Sequence, residues 1–147
     1  MRAFLAETGS KAVFLGMAQD QFPDLPGRRI PWSEAAETPF LAEISAGLCP
    51  LADSPWTRGK SGYKIIQYMS AGRPTLASPV GIAADLVEPT TGFHCRTEDE
   101  WHKALRALYE DPGRCTAMGK AARERAENRY DTQLAAAQLH GILSACR

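Results

Sequence analysis

The chain has 147 residues, of which 44% are hydrophobic and 23% charged, and its 17 Lys and Arg balance 17 Asp and Glu. That composition fills one core and excludes disorder, and zero net charge gives no general attraction to nucleic acid or to an acidic membrane. No apolar run approaches the roughly 20 residues of a membrane span, and the opening MRAFLAETGS lacks a signal peptide's apolar core and cleavage pattern, so a cytoplasmic setting is expected.

Arg2 to Thr8 reads as the end of a helix capped by Gly9, and Ala12 to Leu15 as an apolar strand ending at Gly16. A Pro-rich loop from Phe22 to Gly27 leads to a strand over Arg28 to Trp32. Ser33 then caps a helix over Glu34 to Ile44, which Pro39 is expected to break, and Leu48 to Leu51 forms the third strand. The next helix begins near Ser61 or Gly62 and ends at Gly72, beyond which Pro74 forbids continuation and Thr75 to Ser78 runs as a short buried strand. Ile82 to Val87 is a short helix and Phe93 to Cys95 an edge strand.

From Thr97 onward the chain is helical. Thr97 and Glu100 have capping-box spacing, and Trp101, Leu105 and Leu108 share a face, so one helix runs to about Tyr109. Pro112 to Asn128 and Asp131 to Ala145 form two more, the last capped by Asp131 and carrying Leu134, Leu139, Ile142 and Leu143. Alternating strands and helices imply an α/β fold, Rossmann-like, with a doubly wound, mostly parallel sheet flanked by helices.

Scattered residues argue against other chemistries. Cys49, Cys95, Cys115 and Cys146 contain no CxxC and read as buried free thiols, and His94, His102 and His140 are too dispersed for a metal site, so neither metal nor cofactor is expected. Trp32, Trp56 and Trp101 are assigned to the core, Arg123, Arg125 and Arg129 to a solvated helix face. No spacing supports a Ser-His-Asp or Cys-His hydrolase.

The segment with most chemical content is Gly59 to Gly81, GKSGYKIIQYMSAGRPTLASPVG. Ser61 can cap free amides, Gly62 admits close approach, and the start of the helix suits an anion. Lys64 and Gln67 share one helix face, while Ile65, Ile66 and Met69 face the sheet. Both loops of the segment flank the crevice beyond the carboxyl ends of the strands, where open α/β sheets bind ligands.

This segment resembles the donor-binding half of group 1 retaining glycosyltransferases of the GT-B fold. Ala46 to Leu51, Gln67 to Pro74, Gly92-Phe93, Glu100-Trp101, Leu105, Leu108, Asp111 and Met118-Gly119 carry the resemblance on, in the family's order, from about Lys11 to Tyr130. It implies a nucleoside diphosphate sugar as donor, held by Lys60, Ser61, Gly62, Tyr63, Lys64 and Gln67, with Ile30, Pro31 and Trp32 bordering the base. Gly59 and Gln67 stand where many relatives have glutamates, so Gln67 offers the ribose an amide and no charge. Lys60 and Lys64 are then expected to neutralise the diphosphate and help it depart.

The resembling domain begins one strand earlier, and its acceptor pocket and much of its catalytic machinery lie on a separate N-terminal domain. The resemblance therefore implies a chain lacking a central strand and the acceptor domain, inactive alone, completed by a partner chain or by homo-oligomerisation. A non-catalytic assembly module and a nucleotide-sugar epimerase relative remain alternatives.

Overall fold

The computed structural model describes residues 1–18 and 20–146. Helix α1 (Arg2–Thr8) ends at Gly9 and leads into β1 (Val13–Leu15), which pairs in parallel with β2 (Arg28–Ile30). Helix α2 (Glu34–Glu43) follows, then β3 (Gly47–Cys49), α3 (Pro55–Arg58), α4 (Tyr63–Ser70) and β4 (Thr75–Ala77). After α5 (Ala83–Leu86) and β5 (Gly92–His94) come α6 (Glu98–Glu110), α7 (Pro112–Arg129) and α8 (Thr132–Ala145).

Every strand pair is parallel, as the alternating pattern predicts, but the pairs form two sheets, β1-β2 and β3-β4-β5. Successive residues of β4 face opposite sides, so Leu76 joins a core with Phe4 and Leu5 of α1 and Leu105 and Leu108 of α6. Ala77 joins a second core with Ile65 and Met69 of α4, Leu86 of α5 and Ala122 and Ala126 of α7. Helix α7 contributes to both, since its Met118 belongs to the first.

Pro39 does not break α2. As its sixth residue it forfeits one N–H bond, to the Ala35 carbonyl, while Phe40 beside it is buried and anchors the turn. At the other end the Arg73 guanidinium donates to the Leu41 carbonyl at 3.1 Å and the Ala42 carbonyl at 2.7 Å, satisfying groups a helix end leaves open. Ser33 makes no side-chain cap bond. Arg73 is itself placed by the end of α4, where Gly72 N–H donates to Met69 and Arg73 N–H to the Tyr68 carbonyl, the two bonds of a Schellman motif.

The capping box of α6 forms as expected, with the Thr97 hydroxyl accepting from Glu100 N–H and the Glu100 carboxylate accepting from Thr97 N–H. The backbone N–H groups of Arg96 and Thr97 hold the Glu100 carboxyl below the usual carboxylate range. Stability from a lowered pKa is present above the ordinary glutamate value and is lost as pH falls through the lowered one. Thr97→Ala is expected to cost about 1 kcal/mol, and Glu100→Gln to flatten the acid limb of stability; urea midpoints measured from neutral pH downward check both.

Two tryptophan assignments are corrected. Trp32 is 64% exposed and Trp56 80%, while Trp101 packs against the first core. Arg125 also departs from the solvated face: its side chain is 12% exposed, pairs with Glu88 and donates to the Asp85 carbonyl at 2.9 Å, tying α7 to the α5 turn. All four cysteines are free, with Cys95 fully buried, Cys49 and Cys115 half-buried and Cys146 exposed.

Candidate functional site

The carboxyl ends of β3 and β4 are bound to each other. Ser78 N–H donates to the Cys49 carbonyl at 3.2 Å, and the Ser78 hydroxyl accepts from Leu51 N–H at 3.0 Å. Helix α3, unpredicted from the sequence, rises from this rim on a Ser54–Thr57 capping box with Pro55 at its first turn. Arg58 clamps Asp53 through two bonds, 2.6 and 2.9 Å, and holds its carboxyl below the ordinary range. Two residues beyond Arg58 the chain reaches Lys60.

Helix α4 starts one step later than its serine suggests. Gly62 is its N-cap, with φ 68°, and Ser61 makes no cap bond. The left-handed conformation is accessible to glycine at little steric cost, and Gly62 also lies so close to Leu86 that a Cβ would overlap the Leu86 Cδ1. The Gly62 carbonyl accepts from Ile65 and Ile66, at 2.9 and 3.3 Å. Among the described residues the backbone N–H groups of Ser61, Gly62, Tyr63 and Lys64 have no protein partner, so four donors collect at the loop-helix junction.

Lys60 and Lys64 flank these donors, both exposed and neither in an ion pair among the described residues. Their charges reach Cys49 at the end of β3: burial raises the thiol's pKa, and Lys64, then Lys60, partly offset that rise. The predicted site residues Lys60, Ser61, Gly62, Tyr63, Lys64 and Gln67 all line one cleft. Tyr63 contributes its amide while its ring is 62% exposed, and the sheet side of α4 is Ile65 and Met69, as the spacing predicts.

Sequence reasoning missed Glu37. Its carboxylate, on α2, accepts from Gln67 Nε2 at 3.0 Å and from Trp32 Nε1 at 2.9 Å. A carboxylate only accepts, so the Gln67 NH₂ must face it, leaving the Gln67 carbonyl oxygen as the group available to a ligand. Of Ile30, Pro31 and Trp32, it is Trp32 that lines the cleft, held there by Glu37. The sequence signal for Glu37 is its position on the first turn of a helix, 30 residues from Gln67.

Against solved structures the described architecture has clear counterparts. Anabaena HepE in complex with UDP superposes with a TM-score of 0.75 at 18% identity, covering 98% of this chain and 44% of that one. The fold is that of a GT-B glycosyltransferase. TarM matches with a TM-score of 0.73 at 12% identity over 95% of this chain and 30% of its own, and sucrose-phosphate synthase from Thermosynechococcus elongatus with 0.62 at 22% over 82% and 31%. The chain thus spans less than half the length of these GT-B structures. No family model matches the sequence, and no curated protein does.

Within that fold the four free amides and two lysines lie beyond the carboxyl ends of β3 and β4, where open parallel sheets bind ligands. The site offers donors and positive charge, with the acceptor oxygen of Gln67 beside them. An anion with hydroxyls attached meets that chemistry better than a cation or an apolar ligand. No helix among the described residues is long and apolar enough to cross a membrane.

Proposed function

We propose that this chain is the donor-binding domain of a glycosyltransferase and holds a nucleoside diphosphate sugar at the start of α4. The observation carrying this reading is the set of four unpartnered amides, Ser61 to Lys64, flanked by two unpaired lysines. The diphosphate accepts from the amides, Lys60 and Lys64 offset its charge as it departs, and the Gln67 oxygen accepts from a ribose hydroxyl. Trp32 borders the base. The HepE complexes with UDP and with UDP-glucose support testing uridine nucleotides first. Transfer needs an acceptor pocket from a further domain, so the chain alone binds donor without turning it over.

Calorimetric titration with UDP, GDP and ADP tests the proposal. Saturable binding of one of them identifies the base; a folded chain that binds none, at concentrations up to the millimolar range, overturns the reading. Glu37→Gln is expected to weaken binding of the preferred nucleotide by roughly three- to fivefold, the worth of one ordinary hydrogen bond. Binding of inorganic pyrophosphate should be unchanged, because Glu37 acts only through the Gln67 amide and Trp32. Equal losses for both ligands would place Glu37 elsewhere.

One observation favours a second reading, an assembly module without activity. The strands form two separate sheets, and open sheet edges invite another polypeptide whatever happens at α4.

A further inference from the structure

One carboxylate ties α2 to α4 and to the end of β2. Glu37 Oε1 accepts from Trp32 Nε1 at 2.9 Å and Glu37 Oε2 from Gln67 Nε2 at 3.0 Å, so each oxygen is engaged by a different donor. An indole N–H only donates and a carboxylate only accepts, so these bonds have one direction. Both run into Glu37, and they hold the Gln67 amide with its NH₂ inward. Its carbonyl oxygen has no protein partner among the described residues and stays accessible, and Gln67, Glu37 and Trp32 all line the cleft.

The two ends of a glutamine amide have nearly the same size and opposite hydrogen-bonding sense, so an untethered one turns over to suit a ligand that donates or a ligand that accepts. Gln67 lacks that freedom. Inverting it would set its oxygen against Glu37 Oε2, acceptor facing acceptor, and would remove a bond from a half-buried group. The cleft therefore presents a fixed acceptor at this point, and what fixes it lies on another helix.

We infer that Glu37 is a positioning residue that sets the polarity of the Gln67 amide, so that the cleft selects a ligand presenting a hydroxyl hydrogen there and refuses the same ligand with hydrogen or fluorine in its place. The inference rests on the donor reading, in which that hydroxyl belongs to the ribose, and adds to it a selection for the ribonucleotide over its deoxy and fluoro forms. A wrong ligand leaves the acceptor unpaired, which is why a fixed polar group discriminates more than a free one. Glu37→Gln undoes the arrangement through Trp32. The indole N–H claims the new amide's oxygen, the new NH₂ faces Gln67, and Gln67 turns its own NH₂ to the cleft. A hydroxyl, which both donates and accepts, is tolerated in either state, whereas fluorine, which only accepts, is tolerated only after the inversion.

Calorimetric titration tests this with the nucleoside diphosphate the chain binds, UDP first, and with its deoxy and deoxyfluoro forms at the 2′ and at the 3′ position. At one of the two positions the parent should bind the deoxy form roughly tenfold more weakly than the ribonucleotide, and the fluoro form more weakly still. In Glu37→Gln the first ratio should narrow to about two- to threefold, and the fluoro form should bind at least as tightly as the deoxy form. Combining Glu37→Gln with Gln67→Glu exchanges acid and amide: the carboxylate at position 67 accepts from the amide at position 37 and keeps an oxygen for the ligand, so the parent's order of affinities should return. Thermal unfolding of each variant shows that it is folded. A Glu37→Gln variant that loses affinity for every ligand in one proportion, or a double variant that does not recover the parent's order, would overturn the inference. Nucleotide binding without hydroxyl selection in the parent overturns the inference alone, whereas no binding of UDP, GDP or ADP overturns the donor reading together with it.

Discussion

Replacing Lys60 and Lys64 together by alanine is expected to lower the affinity of the chain for a nucleoside diphosphate by roughly 30- to 100-fold. Hydrogen bonds involving a charged group contribute about 1.5–3 kcal/mol each, and the lower end applies because both side chains are exposed to solvent screening. Single variants should each lose about tenfold. The nucleoside without phosphates should bind the double variant as it binds the parent, since Gln67 and Trp32 are untouched. The dependence of affinity on salt should also flatten, because the removed charges are those that ions screen. Calorimetry at low and high salt reads both quantities, and a double variant with parental affinity for the diphosphate would remove the lysines from the site.

The largest effect on stability is expected at Gly62. Gly9 and Gly62 share φ 68°, but a Cβ at Gly9 meets nothing within 4 Å, whereas at Gly62 it overlaps a side chain of the second core and approaches Ile82. Gly9→Ala therefore measures the left-handed backbone cost alone, about 1–2 kcal/mol. Gly62→Ala adds overpacking of roughly 1–3 kcal/mol, since Leu86 is 2% exposed and has little free space to enter. For a chain of this size the sum, about 2–5 kcal/mol, lowers Tm by roughly 6–15 °C. Thermal unfolding of the two variants side by side checks the difference, and equal losses would mean that Leu86 relaxes without cost. A Gly62 variant that remains folded should also bind a diphosphate more weakly, because the amides it positions are those of its neighbours.

Much of this architecture was legible because its signals are local. Apolar runs at Val13 to Leu15 and Thr75 to Ala77, the Thr97 capping box and the glycine at position 72 depend on residues within a turn of one another, and each element formed where those residues lie. The glycine-opened start of α4 was legible for the same reason, although its cap is Gly62 and not the neighbouring Ser61. Helix α3 carried a readable signal, Ser54-Pro55 with Thr57, that the Pro-containing loop around it obscured.

What could not be read were consequences of contact across the chain. Glu37 reaches Gln67 only after α2 and α4 pack, and Arg73 supports the end of the Pro39 helix from 31 or 32 residues away. The aromatic rule failed for Trp56 because the four-residue helix that carries it buries none of its residues, and for Trp32 because its indole is held by a carboxylate at the cleft. Arg125 looked solvated from its helix alone; its partners Asp85 and Glu88 come from a different turn.

The β1-β2 ribbon differs from the rest of the molecule in what holds it. None of its six strand residues is fully buried, whereas all three residues of β4 are. A lone two-stranded pair is marginal in water, while α7 enters both cores and obliges them to melt as one body. The molecule is therefore built with two grades of cohesion: a cooperative block around β4, and a ribbon held by its own pairing and by contact with α2. Trp32, two residues beyond β2, is joined to the tighter grade through Glu37 and Gln67, so its place at the cleft depends on α2 staying packed against α4.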